Sequence, residues 1–221
     1  MITKYGYDVF FTVTILCVAA IILAFWLVEP KIIRYGIVLV SSVLLALTVN
    51  FFRDPERAAP AGDSLVLAPA DGKIIAVRTV PQNEYLKSEA TLISIFMSPL
   101  NVHVNRNPIS GTVGHVRYVK GEYFAAFEDK ASEKNEQMVI GIEGPRGRVL
   151  FKQIAGFVAR RIVCTLKEGD SVRAGERFGM IKFGSRVDVF VPQHATIRAK
   201  VGDITTAGET VLADLGRDDR K

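Results

Sequence analysis

The sequence is poor in the residues that carry ready-made chemistry. Its 221 residues hold two cysteines and three histidines. Cys17 sits in an apolar run and Cys164 in a strand-like one, so neither a disulfide framework nor a Cys/His zinc spacing exists, as suits a reducing compartment. No Gly-x-Ser-x-Gly elbow, glycine-rich phosphate loop, His-Glu-x-x-His helix or dinucleotide fingerprint is present, which disfavours a conventional nucleophilic hydrolase, a nucleotide enzyme and a zinc peptidase. The net charge is +5, but Lys and Arg form no run and do not interleave with aromatics, so nucleic acid is not a partner. A diffuse basic excess of this kind suits a domain held against an anionic lipid surface.

Charge is absent altogether from two N-terminal stretches. Residues 9–28 and 35–52 are uncharged, the first long enough to cross a hydrocarbon core of roughly 30 Å. Glu29-Pro-Lys-Ile-Ile-Arg34 separates them, and Trp26, Tyr35, Phe51 and Phe52 lie near their ends, where aromatic rings favour the interface. The first run is long for a signal peptide, no small-x-small site follows it, and a second run comes at once. The expectation is a two-helix transmembrane hairpin over residues 1–52, anchoring the chain in the cell (inner or plasma) membrane. Positive charge flanks every boundary, so the charge rule barely discriminates orientation; a cytoplasmic β-domain is expected because nothing signals its export.

Residues 53–63 form a polar linker marked by prolines. From residue 64 to 221, short apolar segments alternate with Gly, Pro, Asn and Asp: 65–68, 73–80, 91–97, 111–119, 138–142, 148–154, 157–166, 177–183, 187–191, 195–201 and 210–215. Short strands with turn signals every eight to twelve residues indicate a mainly β domain, a sandwich or barrel. Residues 122–137 alone look helical or loop-like. An internal echo sharpens the fold: Gly169-Asp-Ser-Val-Arg-Ala-Gly-Glu176 returns as Gly202-Asp-Ile-Thr-Thr-Ala-Gly-Glu209. Such paired turns resemble lipoyl- and biotinyl-type β-sandwiches, whose two halves interlock.

Few residues are candidates for chemistry. Asp71 lies in Pro69-Ala-Asp-Gly-Lys73, a pattern that usually makes only a turn. His103 sits in the polar stretch 98–111, His115 alternates onto one face of a strand with Val113 and Arg117, and His194 follows Pro192-Gln193 as a surface turn residue. Gly184-Ser185 stands between two strand-like runs. Glycine there permits close approach to its own carbonyl, and the next residue brings a hydroxyl; the pair is either a plain bulge or a bond the chain cuts by itself.

Taken in order, the two apolar spans running into Phe51-Phe-Arg-Asp-Pro-Glu-Arg57, then Pro69-Ala-Asp-Gly72, Asn101-Val-His-Val-Asn-Arg106, Gly114-His-Val-Arg-Tyr-Val-Lys-Gly-Glu122, Asp129-Lys-Ala-Ser-Glu-Lys-Asn-Glu136 and Phe183-Gly-Ser-Arg186 closely resemble the short bacterial phosphatidylserine decarboxylase proenzymes. That resemblance implies a membrane-bound lyase that converts phosphatidylserine to phosphatidylethanolamine and carbon dioxide. It implies self-cleavage between Gly184 and Ser185: the Ser185 hydroxyl attacks the Gly184 carbonyl, the amide becomes an ester, and elimination releases the upstream chain as a carboxylate. The dehydroalanine left at 185 tautomerises and loses ammonia, leaving a pyruvoyl group that heads a small chain beside the large chain 1–184. The pyruvoyl carbonyl forms a Schiff base with the substrate amine and serves as electron sink, with neither metal nor pyridoxal phosphate. His103 would be the base, with Asp71 fixing its tautomer.

Two positions depart from longer relatives. Those have Leu-Gly-Ser-Thr at the cut, against Phe-Gly-Ser-Arg here, and a second histidine where Arg106 stands. Whether His103 serves both cleavage and decarboxylation, or His115 or Arg106 shares the work, stays open at this point; Arg106 and His115 are candidate substrate contacts. An apolar rim drawn from residues 123–127 is one route for the lipid, and an oligomer is compatible with the sequence. Two other readings compete. A membrane-anchored lipoyl-like adaptor of an efflux or secretion system would need a heptad-patterned hairpin that is missing here. A carrier domain modified on Lys182 would need a lysine at a turn tip, not within an apolar strand.

Overall fold

A computed structural model describes residues 1–122, 134–156, 161–182 and 185–216. Two compact units divide at Pro55 and Glu56. In the first, a short 3-10 turn (Lys4–Gly6) leads into helix α1 (Tyr7–Leu27), and α2 (Lys31–Phe51) returns beside it. Arg34 ties the bend by donating from Nε and Nη2 to the carbonyl of Val28, at 3.0 and 2.7 Å, just past the end of α1. Thr3 donates to the carbonyl of Phe52 and Asp54 to that of Met1, so both ends of the hairpin lie together. Phe11, Ile15, Leu16, Leu23, Trp26, Ile32, Leu39 and Val40 are all exposed on these helices. A helix apolar all round belongs in a protein core or a bilayer, and both helices are long and apolar enough to cross a membrane.

The second unit is mainly β, as the turn spacing indicates. Its strands are β1 (Leu65–Leu67), β2 (Gly72–Gln82), β3 (Ser88–Met97), β4 (Val104–Arg106), β5 (Gly111–Val119), β6 (Gln137–Gly144), β7 (Gly147–Ala155), β8 (Arg161–Cys164), β9 (Ser171–Val172), β10 (Arg177–Lys182), β11 (Ser185–Pro192), β12 (Thr196–Ile197), β13 (Ile204–Thr205) and β14 (Val211–Asp214). Eight of them form a curled antiparallel sheet in the order β13-β2-β3-β11-β7-β6-β5-β9; β1-β14-β12 and β4-β10-β8 make two smaller sheets. Residues 183–184, 157–160 and 123–133 lie outside the described residues, and with them Gly184, the start of the expected strand at 157, and the expected apolar rim. Three short strands went unread in the sequence. β4 is the instructive case: all three of its residues are buried, yet two are Asn105 and Arg106, so no hydrophobic alternation marks it.

Strand β11 has both faces covered. Val187, Val189 and Val191 point into the main core with Phe151, Phe178, Ile93 and Ile140, while Phe190 packs on the other side with Leu92, Val139 and Leu150. Beside Phe190, Arg186 donates to Asp188 at 2.6 Å and to Ser94 at 2.7 Å, all three buried. The arginine that departs from longer relatives thus has its charge matched inside the sheet, as a buried ion needs.

The echoed octapeptides are two copies of one structural unit. Lys167 N–H donates to Asp170 and Lys200 N–H to Asp203, each at 2.8 Å. Gly169 donates to Val113 and Gly202 to Ile74; Gly175 donates to Asn107 and Gly208 to Ala68. β9 pairs with the start of β5 as β13 pairs with the start of β2. The tips meet: a Cβ on Gly208 would stand 3.3 Å from the Gly175 Cα and 2.8 Å from Arg106 Cδ, and both glycines have positive φ, +78° and +79°. Glycine is required there on both counts.

Candidate active site

Ser185 opens β11, opposite Met97 of β3 on one side and Ala155 of β7 on the other. It is fully buried, and strand alternation turns it to the core face with Val187. Its hydroxyl donates to Met97 Sδ at 3.3 Å. A thioether is a weak acceptor, so the oxygen is held loosely and keeps its lone pairs available. Small Ala155 stands opposite it, a pyruvoyl group keeps only the three carbons of the serine it replaces, and the two flanking strands would still grip residue 185 after a cut on its N-terminal side. The residues present fit a pyruvoyl group at this position.

His103 follows a tight turn in which Asn101 N–H donates to the Ser98 carbonyl and Ser98 N–H to Asn101 Oδ1, both at 2.9 Å. The ring is fully buried. Its Nδ1 lies 2.9 Å from the Asn101 carbonyl. A carbonyl only accepts, so Nδ1 carries the proton; in the neutral ring Nε2 then keeps the basic lone pair, and Nε2 is out of reach of solvent.

Asp71 is placed otherwise than its expected task requires. Its carboxylate takes a two-pronged bond from Arg57, with Nη2 at 2.7 Å from Oδ2, and Oδ1 also accepts the N–H of Ala207 at 2.8 Å. Arg57 in turn donates to the carbonyl of Ala207 at 2.9 Å. The tautomer of His103 is therefore set by the Asn101 carbonyl and not by Asp71. The internal repeat explains this: Ser110, the counterpart of Asp71 before β5, accepts the N–H of Ala174 at 2.9 Å in the other copy. Asp71 fastens this turn as Ser110 fastens the other, and in addition carries a charge matched by Arg57. Two residues before it, the Pro69 carbonyl accepts the Arg106 N–H at 3.0 Å and Asn105 Nδ2 at 3.3 Å, which ties this turn to β4.

Arg106 is buried, with Nη1 on the Gly175 carbonyl at 2.9 Å. It forms the floor of an open cleft of about 440 Å³ with Arg57, Arg173, Arg177, Glu56 and Glu176 among its walls. Arg177 bonds Glu56 at 2.8 Å and holds that carboxyl below the usual carboxylate range. His115 belongs elsewhere. Its Nε2 meets Glu84 at 2.9 Å, its ring stacks on Tyr85 at 6.0 Å, and Arg117 bonds the same Glu84 oxygen at 2.7 Å. None of these partners hydrogen-bonds Ser185 or His103. His194 is exposed.

Three buried residues around Ser185 carried no role in the sequence. Asn105 Nδ2 reaches Met97 Sδ at 3.9 Å, and Gln153 Nε2 donates to Asn105 Oδ1 at 2.9 Å. Met97, Asn105 and Gln153 therefore link to the Ser185 hydroxyl in one buried chain of contacts. The available signal was Gln153 itself, a carboxamide at a core-facing position between Phe151 and Ala155.

The chain is similar to known proteins over nearly its whole length. A family model described as phosphatidylserine decarboxylase matches residues 44–213. Among similar proteins, the phosphatidylserine decarboxylase proenzyme of Pelodictyon phaeoclathratiforme is 49% identical over 213 residues, covering 96% of this chain and 99% of that one. Proteins of the same name from Chlorobium phaeobacteroides and Prosthecochloris aestuarii are 45% and 44% identical, each over at least 96% of this chain and 98% of their own.

Proposed function

The chain belongs to the phosphatidylserine decarboxylase family, and on that premise we propose that it matures by cutting itself between Gly184 and Ser185 and works on phosphatidylserine from the bilayer through a pyruvoyl group made from Ser185. The observation that carries this is the setting of Ser185: buried, gripped between β3 and β7, with its hydroxyl resting on a thioether.

In maturation, His103 Nε2 takes the Ser185 Oγ proton as that oxygen attacks the Gly184 carbonyl carbon. The Asn101 carbonyl, already accepting from Nδ1, steadies the imidazolium that forms. The C–N bond between 184 and 185 breaks, the ester forms, and loss of the Ser185 α-proton with cleavage of the Cβ–O bond frees the large chain as a carboxylate. Hydrolysis of the remaining enamine, as its imine tautomer, releases ammonia. The pyruvoyl carbonyl, once made, supplies a Schiff-base partner for the lipid's amine and an electron sink for the pair left behind by carbon dioxide. The protein's own part is to hold and to exclude. β11 stays hydrogen-bonded on both sides, and Arg186 of the small chain reaches Ser94 of the large one, so the new terminus stays fixed after the cut. Arg106, with Arg173 and Arg177, forms the cationic wall for the phosphate or carboxylate of the headgroup, the planar fork of arginine matching either. His115 has no part in this site. The two N-terminal helices hold the enzyme in the membrane that contains its substrate, which raises the local lipid concentration.

Intact mass of the purified protein tests the cut: two chains, 1–184 and a small chain lacking the ammonia of Ser185. Ser185→Ala is expected to give one uncut, inactive chain. A Ser185→Ala protein that still released carbon dioxide from phosphatidylserine would refute the mechanism.

A further inference from the structure

Beside Ser185 lies a buried acceptor that the maturation chemistry does not use. Gln153 is fully buried on the core face of β7, two positions from Ala155, the β-partner of Ser185, and directly opposite Val187. Residues diagonal across an antiparallel pair are about 7–8 Å apart, within reach of a long side chain. The orientation of its amide is fixed by chemistry: Nε2 faces two acceptors, Asn105 Oδ1 at 2.9 Å and the Val163 carbonyl at 3.4 Å. Oε1 is left on the other side, buried, and among the described residues no donor reaches it. Native proteins seldom leave a buried acceptor without a donor, and such an atom calls for an explanation.

The substrate supplies the donor. Whatever amine condenses with residue 185 arrives with N–H groups that must lose water on entering this buried strand end. We propose that Gln153 recognises the substrate amine: Oε1 accepts one N–H of the lipid's primary amine as that nitrogen approaches the carbonyl carbon of residue 185. This rests on the maturation proposed above. A neutral amide suits the task better than a carboxylate would. It orients the nitrogen while stabilising the ammonium form much less than a charged carboxylate does, so the amine gives up its proton more readily and keeps the lone pair needed for attack. Met97 and Asn105 set the side chain's pose, since Asn105 spans from Met97 Sδ to Gln153 Nε2. Gln153 is thus a specificity residue for primary amines at this site.

The experiment uses the full-length protein in detergent with dihexanoyl phosphatidylserine and cyanoborohydride, reading the trapped adduct on the small chain by intact mass. Hydroxylamine, a small nucleophile unprotonated at neutral pH, reports carbonyl reactivity in parallel. Gln153→Met is expected to yield the same two chains and the same hydroxylamine adduct, while lipid-amine capture slows about tenfold, the factor one such hydrogen bond carries. Gln153→Glu is expected to move the pH profile of capture upward, because a carboxylate holds the ammonium proton. Capture by Gln153→Met at the wild-type rate, or equal slowing towards both nucleophiles, overturns the proposal. If Gln153→Met stays uncut, Gln153→Glu decides: an unmoved pH profile overturns it. A wild-type chain that stays uncut and takes up no hydroxylamine overturns the maturation, and the amine role with it.

Discussion

Replacing Asp71 distinguishes a residue that acts on His103 directly from one that acts by fastening a turn. The side chains of Arg57 and Asp71 are 7% and 13% exposed. Asp71→Ala removes the carboxylate paired with a nearly buried guanidinium and takes away the side-chain acceptor of the Ala207 N–H. Breaking a buried pair from one side costs about 3 kcal/mol or somewhat more, and a lost neutral hydrogen bond about 1 kcal/mol. A destabilisation of roughly 3–4 kcal/mol is expected for Asp71→Ala, less for Asp71→Asn, which keeps an oxygen for Ala207. Arg57→Leu should lose about as much from the other side, and the double variant should be no worse than either single one, because the two residues act as a unit. The assay is a cycle of four proteins followed by thermal unfolding in detergent and by the rate of chain cleavage. If Asp71 works through the turn, cleavage falls in parallel for both single variants. Cleavage abolished in Asp71→Ala but unchanged in Arg57→Leu would refute the turn-fastening account and return Asp71 to direct contact with the base.

Arg173 lines the cationic cleft from an exposed position; Arg173→Ala should raise the KM for short-chain phosphatidylserine several-fold with kcat and self-cleavage unchanged, and an unaltered KM would remove the cleft from substrate binding. Glu84 is held below its ordinary value of 4.5, chiefly by the Arg117 hydrogen bond, with His115 adding to it against partial burial. A carboxylate depressed in the folded state contributes stability above its unfolded pKa and loses it as pH falls through the folded one. Thermal unfolding between about pH 3 and 5 should therefore show a steeper acid loss in the wild type than in Glu84→Gln; identical slopes would refute the pairing. Gly208→Ala should destabilise by about 1–3 kcal/mol through its positive φ and the contact with Arg106, whereas Gly202→Ala, with φ +99° and no atom within 4 Å of the added Cβ, should cost only the conformational part, about 1 kcal/mol. Equal melting temperatures for the two would refute the packed-tip account of the repeat.

Local pattern carried the reading of this chain far, because its main signals are local. Uncharged runs of helical length are legible wherever they occur, and both helices formed over them. Alternation and turn residues placed the long strands: β5 runs over the nine residues expected, and β3, β6 and β7 extend theirs by one to three. The Gly-Asp-x-x-x-Ala-Gly-Glu echo announced a doubled unit before its bonds could be seen. The ordered motifs marked Ser185 and His103, and both are fully buried, Ser185 at the head of a central strand. Strand β4 was illegible because polar residues that satisfy each other in a core look, in sequence, like a loop.

What the chain could not disclose by itself is who bonds whom. Asp71 meets an amide 136 positions away, Gln153 an asparagine 48 away, and Ser185 a methionine 88 away. Asp71 looked like the partner of a histidine and is the partner of an arginine and a turn, since the pairing of β2 with β13 carries its carboxylate to Ala207. Residue identity determined which groups could take or give a proton; sheet closure decided which of them meet, because only the folded register brings distant strands within hydrogen-bond reach.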